Sequence, residues 1–101
     1  MKTLLNLTTA VLFSSIASVS FAGDAAAGKA KSMTCAGCHG TTGISNNPMW
    51  PNLAGQKQAY LASSLQMYRD GRRKNAMMSA MAKNLTDADI ANLAAYYSSL
   101  K

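Results

Sequence analysis

Two cysteines and one histidine are the residues of this chain best suited to holding a metal group. They stand together as Cys35-Ala36-Gly37-Cys38-His39, and the chain has no other cysteine or histidine. The spacing suits one reaction. Two thiols three positions apart can each add across a vinyl group of a haem, forming two thioethers that leave the next imidazole beneath the iron. A redox dithiol would want its CxxC after a strand and opening a helix, yet nothing upstream of Cys35 reads as a strand. A structural zinc site needs four ligands, and this chain offers three such residues in all. A plain disulfide would leave His39 without a role.

A haem tethered at His39 has an opposite axial position, whose occupant sets what the protein does. With no second histidine, the candidates are a methionine sulfur, a lysine amine or no protein ligand at all. Met77, Met78 and Met81 lie far along the chain, in a segment between two expected helices that reads as flexible.

The elements that must position these groups read as helices. Asp24 is a good N-cap for a first helix expected from Asp24 to Thr34, rich in alanine. Gly28 falls inside it, at a cost that suggests a close crossing by another helix. A second helix is expected from Gln56 to Asp70, stopped by Gly71, with Leu61, Leu65 and Tyr68 on one stripe. The last is the best signalled. Thr86 and Asp89 form a capping box, Leu85 and Ile90 a hydrophobic staple, and Ile90, Leu93, Ala94 and Tyr97 the apolar face. Residues 40–54 show no periodicity and are full of turn formers, so a long loop is expected there, wrapped on one face of the haem. Trp50 in that loop is a candidate haem contact, with core filling as the alternative reading, and the same pair of readings applies to Tyr60. No strand pattern appears. The class is all-α.

Residues 1–22 read as a signal peptide, with Lys2, a moderately apolar run and Ser20-Phe21-Ala22 before the expected cleavage after Ala22. The apolar run is shorter than the roughly 20 residues a bilayer span needs, so no integral membrane segment is expected after cleavage. Residues 23–101 are then one small domain, too small to be well stabilised by its own core without a cofactor. The expected compartment is the periplasm.

The whole chain carries a formal net charge of +6, with its ten basic residues facing four aspartates and no glutamate. Export argues against nucleic acid as partner and favours an acidic protein surface. The cluster Arg69, Arg72, Arg73 and Lys74 reads as a solvated surface, as a patch that steers a redox partner to the haem edge, or as a place where one arginine pairs with a haem propionate.

Taken together, Gly23-Asp24 with Gly28, Cys35 to Gly40, Pro51-Asn52-Leu53-Ala54-Gly55-Gln56, Asp70-Gly71-Arg72, Asn75 to Met81 and Leu85 to Tyr97 resemble a class I c-type cytochrome of the single-haem bacterial periplasmic type. The pattern is similar to one half of the two-haem periplasmic cytochromes c. The resemblance implies the cytochrome c fold: three main helices and their loops around one covalently bound haem c. It implies that Cys35 and Cys38 form the thioethers and that His39 is the proximal iron ligand. Met78 is implied as the distal ligand, with Met81 as the alternative and Met77 behind it. The Pro51 carbonyl is expected to orient His39, and Gly28 to be crossed by the last helix near Leu93 and Tyr96. Many relatives carry an aromatic where this chain has Ser32. Histidine and methionine together fill both axial sites and raise the potential. The implied role is a soluble electron carrier between respiratory partners such as a terminal oxidase or reductase, not an enzyme. A haem subunit of a larger redox complex, or an open-site haem enzyme or gas sensor, is the alternative.

Overall fold

A computed structural model of the protein describes residues 22–101, together with Thr3 and Ala10. The signal peptide expected over residues 1–22 therefore lies almost wholly outside the described residues. Five α-helices follow in order: α1 Ala25–Lys31, α2 Ala36–His39, α3 Gln58–Arg69, α4 Ala76–Ala82 and α5 Asp87–Ser99. Among the described residues there is no strand. The all-α reading stands.

The first helix is shorter than expected. Its α-helical part ends at Lys31, and Ser32–Thr34 continue as a single 3₁₀ turn. The reason is local competition for carbonyls. The Ser32 hydroxyl donates to Lys29 O at 2.7 Å and the Thr34 hydroxyl to Lys31 O at 3.4 Å. Such back-bonding side chains disturb the regular ladder. The N-terminal end behaves as read: the Asp24 carboxylate accepts from the N–H groups of Ala26 and Ala27.

Helix α5 is the spine. Its capping box closes in both directions, Asp89 N–H donating to Thr86 Oγ1 and Thr86 N–H to Asp89 Oδ2, each at 3.0 Å. It contributes Ile90, Leu93, Ala94, Tyr96 and Tyr97 to the core, and α1 packs on it most extensively, followed by α3. Gly28 is the reason α1 can come so close. A Cβ there would sit 1.9 Å from Asn92 O and 2.8 Å from the Tyr96 Cβ, so only glycine fits the crossing. The expectation placed this contact near Leu93 and Tyr96, and the backbone of Asn92 proves to be the nearest wall. Asn92 also ties the chain start, its Oδ1 accepting from Asp24 N–H at 2.8 Å.

Helix α3 begins at Gln58, two residues later than read, with Lys57 as N-cap in an extended conformation. Its far end closes as a Schellman turn: Arg72 N–H donates to Met67 O at 2.9 Å and Gly71 N–H to Tyr68 O at 3.4 Å. Gly71 takes the left-handed φ of +78° that this motif requires. Leu61 is buried in the core beside Leu93, Ala94, Tyr96 and Tyr97, and Leu65 packs against that cluster.

The segment read as flexible is helical. Residues Ala76–Ala82 form α4, capped by Asn75, whose Oδ1 accepts from the N–H groups of Met77 and Met78 at 3.1 Å each. Alanine and methionine are strong helix formers, which explains the element. Fewer than two turns of helix leave no apolar stripe for periodicity to reveal, which explains why it was missed.

Candidate haem site

The motif itself is folded as a turn of helix. Cys35 N-caps α2, and Cys38 and His39 are its last two residues. His39 N–H donates to Cys35 O at 2.9 Å, so the histidine is clamped back onto the first cysteine. Helical pitch then puts Cys35 and Cys38, three apart, on the same side of one turn. Both thiols are free and half-buried. Burial pushes the Cys35 thiol above its ordinary range, partly offset by the hydroxyls of Thr34 and Tyr97.

His39 is buried, with 6% exposure, and its ring has one polar contact: Nδ1 lies 2.8 Å from Pro51 O. A carbonyl only accepts, so Nδ1 carries the proton and Nε2 presents its lone pair. That is the tautomer a metal-ligating histidine needs.

The loop that delivers Pro51 is pinned at several points. Leu53 N–H and Ala54 N–H both donate to Gly43 O, at 2.8 and 3.0 Å. Ser45 N–H donates to Asn52 Oδ1 at 2.7 Å, and Gly55 N–H to Tyr97 O at 2.9 Å. Pro51 therefore sits inside a closed loop whose far end is bonded to α5. Trp50 in the same loop is partly buried, and its N–H donates to Asn47 O at 3.1 Å. It borders a small cleft beside the motif, together with Ala36, Gly37, Cys38 and Asn47.

The methionine segment separates by exposure. Met78 is half-buried on α4, whereas Met77 and Met81 are each 53% exposed. Asn75 fixes the backbone at Met78, a contact that sequence reading passed over although an asparagine before a run of helix formers was its signal. Tyr60 is exposed on α3, and the Arg73 guanidinium beside it lowers its phenol below the ordinary range.

The basic cluster is less uniform than the sequence suggested. Arg69 is a strut: its guanidinium bonds Asp87 at 2.7 Å, Leu85 O at 3.3 Å and Asp70 at 3.3 Å, joining the end of α3 to the start of α5. Arg73 lies over the Tyr68 ring, 4.7 Å from its centroid, with Ser64 Oγ at 3.5 Å. Arg72 pairs with Asp70 at 3.2 Å but stays 62% exposed, and Lys74 is exposed as well.

A buried histidine fixed through Nδ1 and preceded by a half-buried thiol pair, on an all-helical frame, defines a haem-attachment protein of the c type. The cytochrome c family model matches residues 25–101, and the chain belongs to that family. It is 57% identical over 81 residues to cytochrome c-554(548) of Halomonas halodenitrificans, covering 77% of this chain and 98% of that one. It is 46% identical to cytochrome c4 of Pseudomonas aeruginosa, over 79% of this chain but 40% of the relative. The solved structure of reduced recombinant cytochrome c4 from Pseudomonas stutzeri superposes with a TM-score of 0.75 at 42% identity, over 79% of this chain and 47% of that one. The chain thus spans nearly all of the first relative and less than half of the c4 proteins. Class I c-type cytochromes carry covalently attached haem c and transfer electrons.

The residues fit that group. Two thiols share one helical turn with a buried imidazole whose tautomer leaves Nε2 to a metal. No helix among the described residues is long and apolar enough to cross a membrane.

Proposed function

We propose that the protein is a one-electron shuttle of the periplasm, exported behind residues 1–22, with cleavage after Ala22. In this reading Cys35 and Cys38 would form the two thioethers, and His39 Nε2 and Met78 Sδ would hold the iron. The observation that carries it is the 2.8 Å contact from His39 Nδ1 to Pro51 O, which sets both the plane of the ring and its tautomer. The haem, when bound, supplies an iron that takes up and gives up one electron at a time.

The chain's own residues supply the rest. Pro51 holds the imidazole from behind, so the ligand does not reorient when the charge on the metal changes. Asn75 holds the amide of Met78, and α4 packs on α3, so the methionine approaches from a fixed backbone rather than a loose one. With His39 and Met78 both holding the iron, no position would be left for oxygen or substrate, as suits a carrier rather than an enzyme. Met78 is favoured over Met77 and Met81 by its burial, since a ligand shielded from water holds its bond more firmly. Trp50, which borders the cleft beside Cys38, and Tyr60 would contact the group, and the exposed members of the basic cluster, Arg72 and Lys74 foremost, would face an acidic redox partner such as a terminal oxidase or reductase. An interface of that kind is small and wet, which suits rapid exchange.

The oxidised spectrum of the holoprotein tests the ligand set. A weak far-red sulfur-to-iron band is expected in the wild type and in Met81→Ala and Met77→Ala, and is lost in Met78→Ala. Loss in Met81→Ala alone reassigns the ligand. Absence from the wild type sinks the carrier reading and favours an open iron.

A further inference from the structure

Among the described residues, the hydroxyl of Tyr97 is the one buried side-chain oxygen or nitrogen without a hydrogen-bond partner. Tyr97 is 3% exposed, so bulk solvent does not reach it. Its place in the fold is specific. Consecutive residues of α5 point about 100° apart, so Tyr96 meets the α1 crossing while Tyr97 turns into the core beside Leu61 and Leu93. Cys35 packs against that same cluster. Burial, with the Cys35 sulfur nearby, pushes the Tyr97 phenol well above its ordinary range, so the proton stays on the oxygen. A phenylalanine would fill this space without stranding an O–H in an apolar core.

We propose that the Tyr97 hydroxyl is a positioning and tuning group for the haem thioether at Cys35, donating a hydrogen bond to the Cys35 sulfur. Addition to a vinyl group breaks its C=C π bond, joining the sulfur to the carbon next to the ring and the thiol hydrogen to the terminal carbon, so the sulfur keeps its lone pairs but has no hydrogen. It is then an acceptor only, and the O–H of Tyr97 is the donor that matches it. The Thr34 hydroxyl, 4.0 Å from the Cys35 sulfur, donates to Lys31 O at 3.4 Å, and the Ser32 hydroxyl donates to Lys29 O at 2.7 Å, so neither proton is free for the sulfur. An O–H dipole aimed at a sulfur one carbon from the ring edge, in a core shut off from water, places positive charge close to the ring and favours the reduced state. Tyr97 also holds the loop behind His39, its carbonyl accepting from Gly55 N–H at 2.9 Å. One residue of α5 thus reaches both sides of the attachment motif, by its main chain toward Pro51 and by its side chain toward Cys35.

The inference rests on Cys35 carrying one of the thioethers. The holoprotein with Tyr97→Phe should show a lower reduction potential than the wild type, while Ser32→Ala leaves the potential where it was. An unshifted potential in Tyr97→Phe, or an equal shift in Ser32→Ala, overturns the proposal. Resonance Raman spectra of the wild type give a readout that needs no variant: a thioether C–S band should move between H₂O and D₂O, and a band that stays fixed overturns the proposal too. The alkaline pyridine spectrum separates this failure from that of its premise. A doubly attached haem is expected; a singly attached one overturns the attachment reading and this inference with it.

Discussion

His39 Nδ1 and the carbonyl oxygen of Pro51 meet at 2.8 Å across twelve residues of chain, and the intervening loop is closed by main-chain bonds to Gly43 O and by its own side chains. Asn52 is the tie nearest Pro51, accepting from Ser45 N–H at 2.7 Å. Asn52→Ala should cost about 1 kcal/mol of stability, the net worth of one such bond. It should also speed solvent exchange of the His39 Nδ1 proton, followed by NMR on ¹⁵N-labelled protein. Unaltered exchange would mean that Pro51 is held without this tie.

The helix crossing gives a sharper test. Gly28→Ala would place a Cβ 1.9 Å from Asn92 O, in a wall made of backbone that has nowhere to move. Overpacking of this kind costs about 1–3 kcal/mol or somewhat more, which lowers the melting temperature of so small a domain by roughly 4–8 °C per kcal/mol. Gly37 is the control, because nothing lies within 4 Å of a Cβ built there. Gly37→Ala, inside α2, should leave the melting temperature unchanged or raise it.

Asn75 should matter to both stability and ligation. Asn75→Ala removes the acceptor shared by Met77 and Met78 N–H, at a cost of about 1 kcal/mol for a lost N-cap. If Met78 binds the iron, the same variant should let added imidazole displace it at lower concentration, read as loss of the far-red band in a titration. A titration matching the wild type would show that α4 is held by packing alone.

Acid should act through the capping box of α5. Thr86 N–H, assisted by Lys31 at 3.5 Å, holds the Asp89 carboxyl below the ordinary carboxylate range. A depressed folded value stabilises the protein above the unfolded one and loses that contribution as the pH falls through the folded one. Asp89→Asn should therefore be less stable than the wild type at about pH 7, with the gap closing by about pH 2, where both forms are neutral at this position. Thermal unfolding at the two values measures it. A gap independent of pH would assign the loss to packing.

The basic cluster divides into two testable parts. Arg69 spans from α3 to Asp87 and Leu85 O, so Arg69→Ala should lower stability, modestly because Asp87 is 87% exposed and the pair is screened. Lys74→Ala should leave stability unchanged and slow electron transfer to an acidic partner at low salt. Stopped-flow rates at two ionic strengths decide it; equal rates for Lys74→Ala and wild type would make that side chain plain surface.

The sequence by itself determined the chemistry and the class. Cysteine and histidine spacing is written in the chain itself, so Cys35, Cys38 and His39 stand in the order of a haem-attachment motif whatever the fold, and the capping and stripe of α5 are local enough to read directly. What only the tertiary structure decided is what local signals cannot encode. The 3₁₀ turn at Ser32–Thr34 follows from hydroxyls competing for carbonyls, and α4 is too short to show a period. The basic cluster looked uniform until α5 brought Asp87 to Arg69 and left Lys74 outside. Tyr97 read as one more apolar position on a stripe. Its hydroxyl became notable only when α5 placed it in a dry core with Cys35, because a buried O–H without a partner is a property of packing and of no single stretch of chain.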